Sequence, residues 1–170
     1  QTLRNDFVRG LAEDEFGNLW VAIRNGGISI LKNDYKTFDS ELERKINAIL
    51  PTQIINTVTF DKKSNVYIST LGYGVYKINI KTLKTEQFNV FQKNYRKILD
   101  NDVRMVFIDE NEQLWISSGL QNRGGVTIIN EKEQQNFTLE VRSKTRSSIP
   151  NAQINVIFPL DKKRLLIGSF

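Results

Sequence analysis

Three aspartates, Asp14, Asp61 and Asp109, recur in the same company, each just ahead of a short run centred on an aromatic residue. Carboxylates spaced through a chain suggest two chemistries, calcium ligation and glycoside hydrolysis. The loops DEFGN, DKKSN and DENEQ lack the alternating oxygen ligands that a calcium loop supplies. Glycoside hydrolysis needs a positioned pair of carboxylates across one bond. A simpler role fits all three: an Asp that opens a turn accepts hydrogen bonds from backbone N–H groups two or three residues on. The chain has no His and no Cys. That removes the commonest general base, and with it any Ser-His-Asp or Cys-His engine, together with thiolate metal sites and disulfides. No catalytic residue, metal or cofactor is therefore expected.

Other reactive types lie between the apolar runs. Arg24 and Asn25, then Leu71-Gly72-Tyr73, then Gln121, Asn122 and Arg123 occupy comparable links, with Arg142, Lys144 and Arg146 in a later one. Planar polar side chains with one aromatic suit a sugar, and arginines suit an acidic one. Gly27, Gly74 and Gly125 each precede a strand-like run. A phosphate cradle would need a helix start there, so these glycines read as backbone devices. The formal charge of +5 is spread along the chain, and Lys62-Lys63 and Lys162-Lys163 fall in equivalent turns. No basic stripe interleaved with aromatics suggests nucleic acid. No stretch approaches the roughly 20 apolar residues of a membrane helix, and Gln1-Thr2-Leu3-Arg4 does not open like a signal peptide.

The elements that hold these residues repeat. VRGLAEDEFGNLWVAI, INTVTFDKKSNVYIST, VRMVFIDENEQLWISS and INVIFPLDKKRLLIGS align with Trp20, Tyr67, Trp115 and Leu166 at their centres, 47, 48 and 51 residues apart. Such periods belong to propeller blades or to helical pairs. Runs of five or six residues rich in Val, Ile, Trp and Tyr, split by Gly, Asn and Asp, are strands. The second repeat predicts strands near 54–60, 65–70, 74–79 and 85–91, and the third near 103–108, 113–118, 124–129 and 135–141. In the first, the fourth run ends at Phe38, and a weak helical stretch spans Glu41 to Leu50. The fourth repeat shows two strands. The fold class expected is all-β: a β-propeller of four-stranded antiparallel blades, here about three and a half, with repeats near 1–50, 51–98, 99–149 and 150–170.

Trp20, Tyr67 and Trp115 are expected to be nearly inaccessible between blades, where one ring contributes a few kcal/mol at roughly 25 cal/mol per Å². Phe38, Phe88 and Phe137 are expected to cover the outer edge of each blade. Three and a half blades leave apolar faces at both ends, so a second copy, or other blades of the same parent protein, is expected to cover them.

DEFGNLWVAI with Gly-Gly-Ile after it, and DENEQLWISS with Gly-Gly-Val, resemble the two-component-regulator propeller repeat, whose centre is similar to D-x-x-G-x-L-W-I-G-T followed by G-G-L. The first blade matches at Asp14, Gly17, Leu19 and Trp20. The third matches at Asp109, Leu114, Trp115 and Ile116 but carries Glu112 where Gly is usual. The second has Tyr67 for Trp, and Leu165-Leu166-Ile167-Gly168-Ser169 is degenerate. The resemblance implies the periplasmic sensor region of a hybrid two-component histidine kinase, recognising oligosaccharides for polysaccharide utilisation. It also implies that the kinase, its phosphorylated His and the membrane helix lie in other parts of the parent. The rival readings are a scaffold propeller with a protein partner and a carbohydrate-active propeller enzyme.

Overall fold

A computed structural model describes residues 3–120, 123–141, 148–149, 153–161 and 164–169. In chain order the elements are β1 (Val8–Glu13), β2 (Leu19–Ile23), β3 (Gly27–Leu31), α1 (Ser40–Ile49), β4 (Ile55–Phe60), β5 (Asn65–Thr70), β6 (Val75–Asn79) and β7 (Thr85–Phe88). They continue with β8 (Val103–Ile108), β9 (Leu114–Leu120), β10 (Arg123–Asn130), β11 (Gln135–Val141), β12 (Ser148–Ile149), β13 (Ile154–Asp161) and β14 (Arg164–Ser169). They form four sheets, ordered β1-β2-β3, β4-β5-β6-β7, β12-β11-β10-β9-β8 and β13-β14. Among the described strands the pairings are antiparallel except the short parallel one between β11 and β12. The first strands are neighbours: β1 packs on β4, β4 on β8 and β8 on β13. Sheets stacked through their first strands, each a meander, are the blades of an incomplete β-propeller.

Each first strand carries a register shift near its start, at Val8/Gly10, Ile55/Val58, Val103/Met105 and Ile154/Val156. Each first strand is also the edge of its sheet, and the preceding blade takes up some of its outward N–H groups. Val106 N donates to Thr57 Oγ1 at 3.0 Å, and Ile157 N donates to Met105 Sδ at 3.0 Å.

The first blade departs from four strands. Phe38 makes only an isolated bridge to Leu31, and α1 stands where a fourth strand was expected. The Asp39 side chain caps α1 by accepting from Leu42 N at 3.1 Å, and Glu41 and Glu43 sit in its first turn, favourably placed on the helix dipole. Two of its side chains replace the missing ladder. Asn47 accepts from Ile28 N and donates to Ile28 O, both at 2.8 Å, and Glu43 Oε1 accepts from Ile30 N at 2.8 Å. Four helical residues rise about 6 Å and two strand residues about 6.8 Å. A Glu and an Asn four apart therefore match N–H groups two apart. Arg4 pairs with the other oxygen of Glu43 at 3.3 Å. The edge of β3 is thereby covered.

The glycine before each third strand shows the same substitution. Gly74 has φ +78°, and a Cβ on it would lie 2.1 Å from the carbonyl oxygen of Phe88 on β7. In the first blade a Cβ on Gly27 would lie 2.2 Å from Asn47 Oδ1 instead. The helix side chain occupies the place of a fourth-strand carbonyl.

Trp20 is fully buried, edge-on to Phe60 with centroids 5.3 Å apart, and Tyr67 is 3% exposed. Trp115, expected to be inaccessible, is only half-buried. Trp20 and Tyr67 lie in clusters that include a residue of the next blade's third strand, Ile78 and Ile129 respectively. Trp115 lies in a cluster whose described members from the next blade, Ile154, Ile157, Leu165 and Ile167, all belong to β13 and β14. Of the three phenylalanines expected to cover blade edges, Phe88 is fully buried, Phe38 half-buried and Phe137 exposed. Register explains the difference: Phe88 pairs with Val75, and the matching partner of Val126 is Leu139, two residues beyond Phe137. Val8, Leu11 and Phe16 at one end, and Val156, Phe158, Leu160 and Leu166 at the other, are exposed. Among the described residues no helix is long and apolar enough to cross a membrane.

Candidate functional site

The propeller has two ends, and its aspartates serve one of them. Asp14 Oδ1 accepts from Phe16 N and Asn18 N, and its Oδ2 accepts from Asn18 Nδ2 and Trp20 Nε1, all at 2.9 Å. Asp61 does the same for Lys63 N, Asn65 N, Asn65 Nδ2 and the Tyr67 hydroxyl, at 2.8, 3.0, 2.7 and 3.3 Å. Asp109 takes Asn111 N, Gln113 N and Trp115 Nε1, each at 2.9 Å. Each carboxylate thus fixes its turn and also orients the ring on the following strand. With both oxygens engaged, it is poorly placed to act as an acid, a base or a ligand.

Tyr67 changes this end locally. Its hydroxyl also lies 3.2 Å from Glu131 Oε1, and Glu131 pairs with Lys77. Burial first, then the charges of Glu131 and Asp61, push the phenol far above its ordinary range. A polar cavity of about 410 Å³ opens beside it, lined by Lys63, Glu112, Asn130 and Glu131 among others.

At the opposite end lie the links from second to third strand and from blade to blade. Here the sequence-predicted residues separate. Arg24 is exposed and bridges Ile54 through its backbone. Asn25 holds φ 60°, the left-handed turn conformation that Asn tolerates well. Tyr73 is half-exposed, and its carbonyl accepts from Gln87 Nε2 at 2.8 Å. Arg123 is largely exposed, with its Nε 2.6 Å from Oδ2 of the buried Asp100. Gln121, Asn122, Arg142, Lys144 and Arg146 lie outside the described residues.

One cavity of about 410 Å³ takes in just one of the described candidates, Arg123, and not Tyr73. Gly72, Val90, Leu99, Asp100, Asn101, Asp102 and Arg123 line it, so two blades and the link between them contribute. The link is stitched down on both sides. Gly74 N donates to Asn101 O at 2.9 Å, and Val90 N to Asn101 Oδ1 at 3.0 Å. Gly119 N donates to Asp102 O at 2.9 Å, and Asp102 N to Asp100 Oδ1 at 2.9 Å. The walls are therefore preorganised, which lowers the ordering cost of binding. Two exposed aromatics adjoin the lining in sequence, Tyr73 next to Gly72 and Phe91 next to Val90. Arg24 and Asn25 do not line this cavity.

The sequence reading missed Asp100, Asn101, Asp102 and Phe91. A signal was present: Leu99-Asp100-Asn101-Asp102 directly precedes a first strand, and Asp and Asn there favour side-chain-to-backbone turns. Nothing in the order of residues told which blade's loop would face them.

The family model for the two component regulator propeller matches residues 2–25. No curated protein matches the chain. Among solved structures, the extracellular domain of a proposed hybrid two component system from B. thetaiotaomicron superposes with TM-score 0.72 at 19% identity, over 99% of this chain and 22% of that one. The extracellular domain of a second such system from the same organism gives TM-score 0.56 at 18% identity, over 95% and 25%. Virginiamycin B lyase from Staphylococcus aureus gives TM-score 0.55 at 14% identity, over 85% and 45%. The chain thus spans about a fifth to a quarter of the length of the two extracellular domains. At these identities the likeness is one of fold. Residues 2–25 thus match the two component regulator propeller, and the chain folds as an incomplete propeller similar to the extracellular domains of two proposed hybrid two component systems.

Proposed function

We propose that this chain is part of the extracytoplasmic, periplasmic sensing propeller of a hybrid two-component histidine kinase, and that it binds an oligosaccharide without transforming it. The observation that carries the reading is the preorganised cavity of Gly72, Asp100–Asp102 and Arg123, flanked in sequence by exposed Tyr73 and Phe91. An aromatic face packs on the apolar side of a pyranose, and fixed carboxylate, amide and guanidinium groups take its hydroxyls. The repeat at residues 2–25 and the sensor-domain fold support the signalling role. Calorimetric titration with a panel of glycan fragments tests it. Tyr73→Ala and Arg123→Ala should each weaken binding by about 1–3 kcal/mol. Tyr73→Ala should leave thermal unfolding nearly unchanged, because that side chain is half in water. A glycan bound equally well by both variants rejects this face, and recovery of a protein ligand with no glycan binding favours the scaffold reading.

The exposed apolar ends belong to the same reading. Val8, Leu11 and Phe16 at one end, and Val156, Phe158, Leu160 and Leu166 at the other, are placed to be covered by further blades of the parent or by a second copy. The chain alone is expected to self-associate at micromolar concentration in sedimentation velocity. A stable, well-folded monomer would contradict this.

A further inference from the structure

Arg123 alone would favour an acidic sugar, but the cavity it lines points the other way. Arg123 Nε is already engaged at 2.6 Å by Oδ2 of Asp100, whose side chain is only 10% exposed. That pair is locally neutral. The remaining charged group on the wall is Asp102, half-buried, with its backbone fixed on both sides. Its carboxylate faces the Gly72 turn: a Cβ on Gly72 would come within 3.9 Å of Asp102 Oδ1. No ion pair to Asp102 is present among the described residues. The lining therefore holds two carboxylates, one guanidinium and otherwise uncharged groups, a net charge of −1.

We infer that the cavity selects uncharged sugars over uronic acids, with Asp102 as the discriminating residue. This rests on the glycan reading above. A carboxylate can accept from two neighbouring hydroxyls of a neutral sugar, each a charge-assisted hydrogen bond. A uronate brought to the same place meets the like charge of Asp102 at the surface, and Arg123 cannot compensate fully because Asp100 shares it. Like charges a few ångströms apart near a protein surface repel strongly enough to cost about tenfold or more in affinity. Specificity of this kind comes from the repulsive element as much as from the attractive one.

The test is a paired titration of the chain, and of its Asp102→Asn variant, against a neutral oligosaccharide and the uronic acid analogue of the same length and linkage. Asn keeps the backbone bonds of Asp102 and its size, and matched thermal unfolding curves confirm that the link is intact. The parent chain is expected to bind the neutral sugar about tenfold or more tightly than the uronate. Asp102→Asn should reduce that ratio at least severalfold, by weakening the neutral sugar and relieving the uronate. Equal or tighter uronate binding by the parent overturns the inference while leaving the glycan reading standing. A ratio unchanged in the variant does the same. Binding of neither sugar, nor of any other glycan in the panel, overturns both.

Discussion

Trp20→Ala is expected to remove about 3–5 kcal/mol of stability, the range for deleting a large buried aromatic. The ring is fully buried, edge-on to Phe60, and in one core cluster with Ile28, Ile30, Val58 and Ile78. Its loss also strips Asp14 Oδ2 of the Trp20 Nε1 donor. The same change at Trp115 should cost about half as much or less, because the area removed from water is smaller. Trp115 makes the same bond to Asp109, at the same 2.9 Å, so the hydrogen-bond part of the loss is shared. The contrast therefore isolates packing. Urea unfolding of the two variants beside the parent measures it, at a protein concentration held constant because association would couple to stability. Equal losses at the two sites would mean that the blades do not stack as described. Trp20→Phe adds a control: it keeps most of the packing and discards the donor to Asp14.

Asn47→Ala should cost about 2–4 kcal/mol, more than an exposed helix position usually does. The side chain satisfies both the N–H and the carbonyl of Ile28, a residue that is itself fully buried. Removing it orphans both groups at a place water reaches poorly, and each orphan costs about 1–3 kcal/mol. The effect should be local in a way that hydrogen exchange can see. The Ile28 amide should lose protection first, followed by Ile30, whose N–H is held by Glu43 on the same helix face. Glu43→Gln should be milder, since the amide oxygen still accepts from Ile30 and only the partly exposed Arg4 pair is weakened. If Asn47→Ala left Ile28 protected, the helix would not be completing the blade through this side chain.

The expectations that held share one property: their causes act over a few residues. The Asp of each first turn, the Asn or Gln four residues on and the ring six on are bound together within one hairpin. The period of the repeat carries that unit along the chain, which is why the blades were legible without coordinates. The helix at Ser40–Ile49 was half legible. Its cap and amphipathic face are local, and a helical stretch was visible between Glu41 and Leu50. That it displaces a strand was not visible, because the run ending at Phe38 looks as apolar as its counterparts.

Burial of equivalent residues could not be read from their equivalence. Trp20, Tyr67 and Trp115 are equivalent positions in the repeat, yet among the described residues Ile78 and Ile129 of a following third strand join the first two clusters and Trp115 is joined by β13 and β14 residues. Phe137 matches Phe88 in type and rough position, but β-sheet register places it two residues from the buried slot.

By itself the sequence determined the blade: its turns, its glycines at the third strands, the place of its central ring, and the lack of His and Cys. Only the tertiary structure decided the site. Arg123 meets Asp100 across 23 positions of chain, and Gly72 approaches Asp102 across 30. Those meetings depend on how one blade's loop overhangs the next blade's link, a geometry set by the stacking of whole sheets. The charge of a binding site is the sum over such neighbours. An arginine that reads as a free anion receptor in the sequence becomes, once its buried aspartate is in place, one half of a neutral pair beside a second carboxylate.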